Sequence, residues 1–104
     1  MSYSLVMYKI VQTPEFSDWL KTVANPTATA AIAARLRRAS LGNLGNWRAV
    51  GSGVSEMKID IGAGYRLYFV VRGNVVVVML CGGDKSTQDK DIKRAKSMAQ
   101  ELED

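Results

Sequence analysis

Between Val54 and Cys81 the chain sorts its residues in twos across three consecutive segments, and no other feature constrains its fold as much. Val54–Ile61 (VSEMKIDI) and Tyr65–Arg72 (YRLYFVVR) mix apolar and polar residues at strand spacing, and Val75–Cys81 (VVVVMLC) is apolar throughout. Neighbouring side chains of a strand point to opposite faces, so a period of two separates one face from the other. Gly62-Ala63-Gly64 and Gly73-Asn74 divide the segments. Gly-Asn is a favoured two-residue hairpin connector, because both residues tolerate positive φ. The pattern predicts an antiparallel meander. Its last strand, Val-rich on both faces, should be central or covered on both sides.

Parity assigns Ser55, Met57, Ile59 and Ile61 to a buried face together with Tyr65, Leu67, Phe69 and Val71. Glu56, Lys58, Asp60, Arg66 and Tyr68 fall on the opposite face, which is expected to be exposed. Two readings of that face stand side by side. One is a solvated surface with cross-strand ion pairs of roughly 0.2–1 kcal/mol each. The other is a platform for a polyanion, with Lys and Arg on phosphates and Tyr stacked on a base.

The N-terminal half is helical after a first strand at Leu5–Val11. Thr13 is placed to cap a helix whose first residue is Pro14, with Glu15 favoured by the helix dipole. Phe16, Trp19, Leu20 and Val23 then share one face. Asn25-Pro26 repeats the start signal, and Gly42 closes the second helix. So short a connection predicts a helical hairpin. Trp47–Val50 reads as a short strand and Gly51-Ser52-Gly53 as a turn. Ser86 or Thr87 is expected to cap a last helix with Ile92, Ala95, Ala99 and Leu102 on its apolar face. The order is βααββββα over a single domain, residues 1–104. The expected class is α+β: an antiparallel sheet with one face under helices, an N-terminal helical hairpin and a C-terminal helix. Trp19, Leu20, Leu36, Leu67, Phe69, Val76, Val78 and Leu80 are the expected core.

Composition narrows the chemistry. The 104 residues carry a net charge of +4 and one cysteine, Cys81, but no histidine. Ser-His and Cys-His nucleophilic pairs are therefore excluded, and a zinc or other metal site is not expected. Acid–base chemistry falls to Lys, Arg, Asp, Glu or Tyr, with no cofactor implied. Residues 1–53 hold six basic and two acidic side chains; residues 54–104 hold eight of each. The excess sits at Arg35, Arg37, Arg38 and Arg48, compatible with a nucleic-acid or acidic-protein partner. The longest apolar run is too short to span a bilayer, and no leader-like segment opens the chain, so a cytoplasmic protein without a membrane partner is expected.

Gly82-Gly83-Asp84-Lys85 is not a phosphate loop, because Met79 and Asp84 stand where a Walker motif requires glycine. It reads either as a strand-to-helix turn or as an anion site with Lys85 at a helix N-terminus.

These segments together resemble the RelE/ParE toxin superfamily, and most closely its HigB-like addiction module killer protein subgroup. The residues that carry the resemblance are VSEMKID at 54–60, GYRLYF at 64–69 and CGGDKSTQ at 81–88, followed by Asp91-Ile92. The resemblance implies a RelE-like βααββββα fold. It implies the toxin of a type II toxin–antitoxin module, an mRNA endonuclease often associated with the ribosome, neutralised by a helix-turn-helix antitoxin. The ParE branch, which acts on DNA gyrase, and a degenerate non-toxic paralogue are the alternatives. Arg66 matches the arginine of the family's Gly-Tyr-Arg strand, and Lys58 a basic position. On this correspondence Lys58 and Arg66 are catalytic candidates, and Tyr68, on the same strand face, is the third. Arg35, Arg38, Arg48 and Lys85, from the basic excess and the last helix's start, are the RNA-binding ones. Several RNA-cleaving relatives also carry a Tyr or His near the C-terminus; here no aromatic residue follows Phe69.

Overall fold

A computed structural model describes residues 7–103. Its elements are β1 (Lys9–Gln12), α1 (Pro14–Thr22), α2 (Pro26–Ser40), β2 (Trp47–Gly51), β3 (Val54–Ile59), β4 (Tyr65–Arg72), β5 (Val76–Gly83), a 3-10 turn at Lys85–Thr87 and α3 (Gln88–Glu103). The expected order holds. The first part of the strand expected at Leu5–Val11 lies outside the described residues.

One five-stranded sheet runs β1-β5-β4-β3-β2. The β2 to β5 strands form the antiparallel meander, with Lys58 opposite Arg66 and Glu56 opposite Tyr68. The sheet is not wholly antiparallel, however. The first strand pairs parallel to β5, from Lys9↔Val76 to Gln12↔Met79. The reason is the connection: the chain returns through two helices and three strands, so β1 enters the sheet beside β5 and not by a hairpin. That leaves β5 an interior strand between β1 and β4, as its apolar run predicts. Gly73 and Asn74 both take positive φ, 59° and 58°, as their hairpin requires.

The caps at the two N-terminal helices form as expected. The Thr13 hydroxyl accepts from Phe16 N at 3.0 Å and donates to Leu80 O at 2.6 Å, tying α1 to β5. Asn25 Oδ1 accepts from Thr27 N and Ala28 N. Both helices cover one sheet face, where Phe16, Ile32 and Ala39 pack with Met57, Leu67, Phe69, Val77 and Met79. Trp19, Leu20 and Leu36 border this core half-buried. Leu67, Phe69 and Leu80 are fully buried, whereas Val76 and Val78 are partly exposed.

The largest departure concerns the other face. It is not open: α3 lies across it, packing Ala95, Met98 and Ala99 on Val54, Tyr68, Val70, Leu80 and Cys81. The parity was right, but its consequence was not. A bulge helps α3 dock. Tyr68 pairs with Cys81 and Phe69 with Met79, leaving Leu80 as the extra residue, so Leu80 and Cys81 both join the α3 cluster.

Two further expectations change. The last helix is led in by Asp84, not by Ser86 or Thr87: its carboxylate accepts from Ser86 N at 2.8 Å. Gly82 and Gly83 belong to β5 and are not the turn. They are needed for close approach, since a Cβ on Gly82 would enter the Trp19 ring and one on Gly83 would meet Asp91 Oδ2. The two glycines thus let α1 and α3 press on the same strand from opposite faces.

Candidate functional site

Two cross-strand rows on the α3 face build the site. One runs Arg48–Glu56–Tyr68–Cys81, the other Lys58–Arg66–Gly83. As α3 covers the first row progressively, Tyr68 is fully buried and Glu56 is 3% exposed. Arg66 is 6% exposed, while the side chain of its partner Lys58 stays 46% exposed beyond the start of the helix.

Glu56 organises the buried end. Arg48 Nε donates to its Oε1 at 3.0 Å, and Gln88 Nε2, from the first residue of α3, donates to its Oε2 at 3.0 Å. Arg66 Nε stands 3.8 Å from Oε2, an ion pair too long for a hydrogen bond. Burial alone would raise the Glu56 pKa. The bonds from Arg48 and Gln88, the nearby Tyr68 hydroxyl and the charge of Arg48 outweigh it, and hold the carboxyl below its ordinary value. Burial, with the Glu56 and Asp91 charges, pushes the Tyr68 phenol far above its own. Tyr68 Oη and Arg66 Nε are both buried without a hydrogen-bond partner. Proximity to Glu56 keeps the phenol protonated, but the geometry closes no bond.

Two clefts open beside this row and share a wall. The first, about 270 Å³, is lined by Asn46, Trp47, Arg48, Glu56, Lys58, Arg66 and Gln88. The second, about 330 Å³, is lined by Lys58, Asp60, Arg66, Lys85 and the Gly62–Gly64 turn. Lys58 and Arg66 belong to both. Arg66 Nη1 donates to Gly64 O at 3.0 Å, and the Lys85 backbone N to Ala63 O at 3.4 Å, so the turn holds the Arg66 guanidinium and the Lys85 backbone at the cleft edge. Lys58 Nζ lies 3.4 Å from Asp60 Oδ1 in an exposed pair. Three cations and one carboxylate around one cleft can hold a phosphodiester and offer both a proton donor and an acceptor. No group of His, Cys, Asp and Glu among the described residues is arranged to hold a metal ion.

No protein-family model matches this chain. An uncharacterized protein of Haemophilus influenzae is 50% identical to it over 94 residues, covering 90% of this chain and 95% of that relative. The chain belongs to that protein's family.

The structure brings together Lys58, Arg66 and Lys85, and sets Arg48 on the far side of Arg66. It does not place Tyr68 within reach of a ligand: the phenol is core, and base stacking on it is excluded in this fold. Arg35 is also a correction. Its guanidinium donates to Lys58 O at 2.8 Å, Asn46 O at 3.0 Å and Leu44 O at 3.3 Å, pinning the loop before β2 to the end of β3. Burial, and secondarily Arg38, lowers its pKa. Arg38 lies one turn further along α2, exposed. Gln88 and Asn46 were missed as site residues. Gln88 stands inside the GGDKSTQ run, but nothing in the spacing says that it turns back onto a strand residue 32 positions earlier. No helix among the described residues is long and apolar enough to cross a membrane.

Proposed function

We propose that this protein is the toxin of a type II toxin–antitoxin module of the RelE/ParE kind, HigB-like in its subgroup. It is a metal-independent endoribonuclease that cleaves mRNA in the cytoplasm and is silenced by a helix-turn-helix antitoxin. The resemblance of residues 54–69 and 81–92 supports this, as does the mixed sheet with helices on both faces, which we read as RelE-like. The observation that carries it is the convergence of Lys58, Arg66 and Lys85 on one cleft around the single carboxylate of Asp60.

In this reading the scissile phosphate sits between Lys58 and Arg66. The 2′-oxygen attacks phosphorus and loses its proton to Asp60, the acceptor in the same cleft. The P–O5′ bond breaks, and the Lys58 ammonium donates the proton to the leaving oxygen. A 2′,3′-cyclic phosphate and a 5′-hydroxyl result. Arg66, held by Gly64 O and facing Glu56, stabilises the charge that grows on the phosphorane oxygens. Lys85 holds a neighbouring phosphate. Tyr68 has no part in the chemistry. An antitoxin segment lying over the two clefts would exclude RNA directly.

Inducible expression with labelled uridine, thymidine and methionine tests the reading. Methionine incorporation should stop first. Thymidine stopping first would favour a gyrase target, and unaffected growth a non-toxic paralogue.

A further inference from the structure

We propose that the cleft between Arg48 and Gln88 is a nucleobase subsite selective for guanine, beside the phosphate site on the other side of Arg66. This rests on the RNA-cleaving reading of the neighbouring cleft and extends it to sequence preference.

The two clefts share Lys58 and Arg66, so a nucleotide whose phosphate lies between these cations has its base within reach of either side. The turn-lined side offers glycines, Lys85 and Asp60. The other side offers directed hydrogen-bonding groups, and it is already rigid. Arg48 is anchored through Nε to a carboxylate that is 3% exposed. Its terminal nitrogens have no acceptor among the described residues, and its side chain is 62% exposed. An arginine held by Nε presents a fixed two-pronged donor, which matches two adjacent acceptors.

The carboxylate oxygens of the cleft are already in use. Glu56 Oε1 takes Arg48, and Oε2 takes Gln88. Arg66 Nε is buried and faces Glu56 Oε2, so it stays out of the cleft. The free directed group is therefore the Arg48 fork, which asks for two adjacent acceptors. Guanine presents N7 and O6 side by side, the pairing arginine makes most often with a base. Adenine sets a donor beside N7 and does not match the Arg48 fork, but the Asn46 and Gln88 amides make it a competing base. Cytosine is the other competitor, since its exposed pairing edge also holds two neighbouring acceptors. At about 270 Å³ the cleft is small for a ligand pocket and suits one base.

The test is binding of 3′-GMP, 3′-AMP, 3′-CMP, 3′-UMP and inorganic phosphate to the full chain, followed by backbone amide shifts. GMP should bind about tenfold or more tightly than the other three, with shifts at Arg48, Glu56 and Gln88. Arg48→Lys keeps the charge and loses the fork, so it should bring GMP to the level of the others while phosphate binding persists. Circular dichroism of the variant controls for folding. Equal binding of all four nucleotides, a preference for AMP or CMP, or shifts confined to Gly62–Gly64 and Lys85 would overturn the subsite. Because the readout is binding, a GMP preference without RNA cleavage would count against the endonuclease alone, and cleavage without a GMP preference against the subsite alone.

Discussion

Lys58 and Arg66 face each other across β3 and β4, yet one ammonium stands in solvent while the other residue's guanidinium is almost wholly buried. The difference comes from where α3 begins. Its first residue, Gln88, reaches Glu56, and the helix shields Arg66 but not Lys58. The two cations therefore respond differently to substitution.

Lys58→Ala should leave stability within about 0.5 kcal/mol of wild type, as exposed substitutions do. It should lower RNA cleavage by roughly 10²–10³. Arg66→Ala should lose activity and also several kcal/mol, because it strips an ion-pair partner from a buried carboxylate. Urea denaturation with a cleavage assay separates the two. An inactive, unstable Lys58→Ala would remove the distinction.

Glu56 gives a pH dependence with a definite sign. Its folded pKa lies below its unfolded value of about 4.3. Its contribution is complete above that value and is lost as pH falls through the folded pKa. The stability gap between wild type and Glu56→Gln should therefore be widest near neutrality and narrow on acidification below about pH 4. Subtracting the variant's curve removes the other carboxyls, including Asp84, whose pKa is also held low by its bonds to Ser86. A gap constant from pH 7 to 3 would contradict the buried network.

Tyr68→Phe tests a residue that the sequence pattern offered as catalytic. Its hydroxyl is buried and unpartnered, so deleting it should be neutral or slightly stabilising. Toxicity should be retained. Thermal melts and growth arrest in the same strain read both; loss of toxicity in a well-folded Tyr68→Phe would return the phenol to the mechanism.

The strands, their turns and two of the caps were legible because each depends on residues close in sequence. The face of each strand residue was legible too: Glu56, Lys58, Arg66 and Tyr68 do share a side. What local periodicity could not supply was the cover. Whether α3 lies over that side depends on packing between residues far apart in sequence, Tyr68 in one cluster with Ala95 and Ala99, and on an extra residue, Leu80, that breaks the count of two in an all-apolar strand. Arg35 was misread for a related reason, since its carbonyl partners lie 9 to 23 residues away. Lys58, Arg66 and Lys85 come together because all three line the cleft at the Gly62–Gly64 turn.

Gly82→Ala tests the close approach of α1. The new methyl would enter the Trp19 ring, which packs between Phe16 and Tyr65. A loss of about 1–3 kcal/mol is expected, as for overpacked cores. Gly82→Ala combined with Trp19→Leu should recover part of it. No destabilisation in the single variant would mean that the helix does not sit against β5 as described.

Mapping of RNA 5′ ends after brief induction of wild type, Lys58→Ala and Lys85→Ala separates RNA cleavage from any other cause of growth arrest. Wild type should leave new 5′-hydroxyl ends within messages, with a loss of roughly 10² or more for Lys58→Ala and a smaller loss for Lys85→Ala. Growth arrest without new RNA ends, or ends that persist undiminished in folded Lys58→Ala, would contradict RNA cleavage at this cleft.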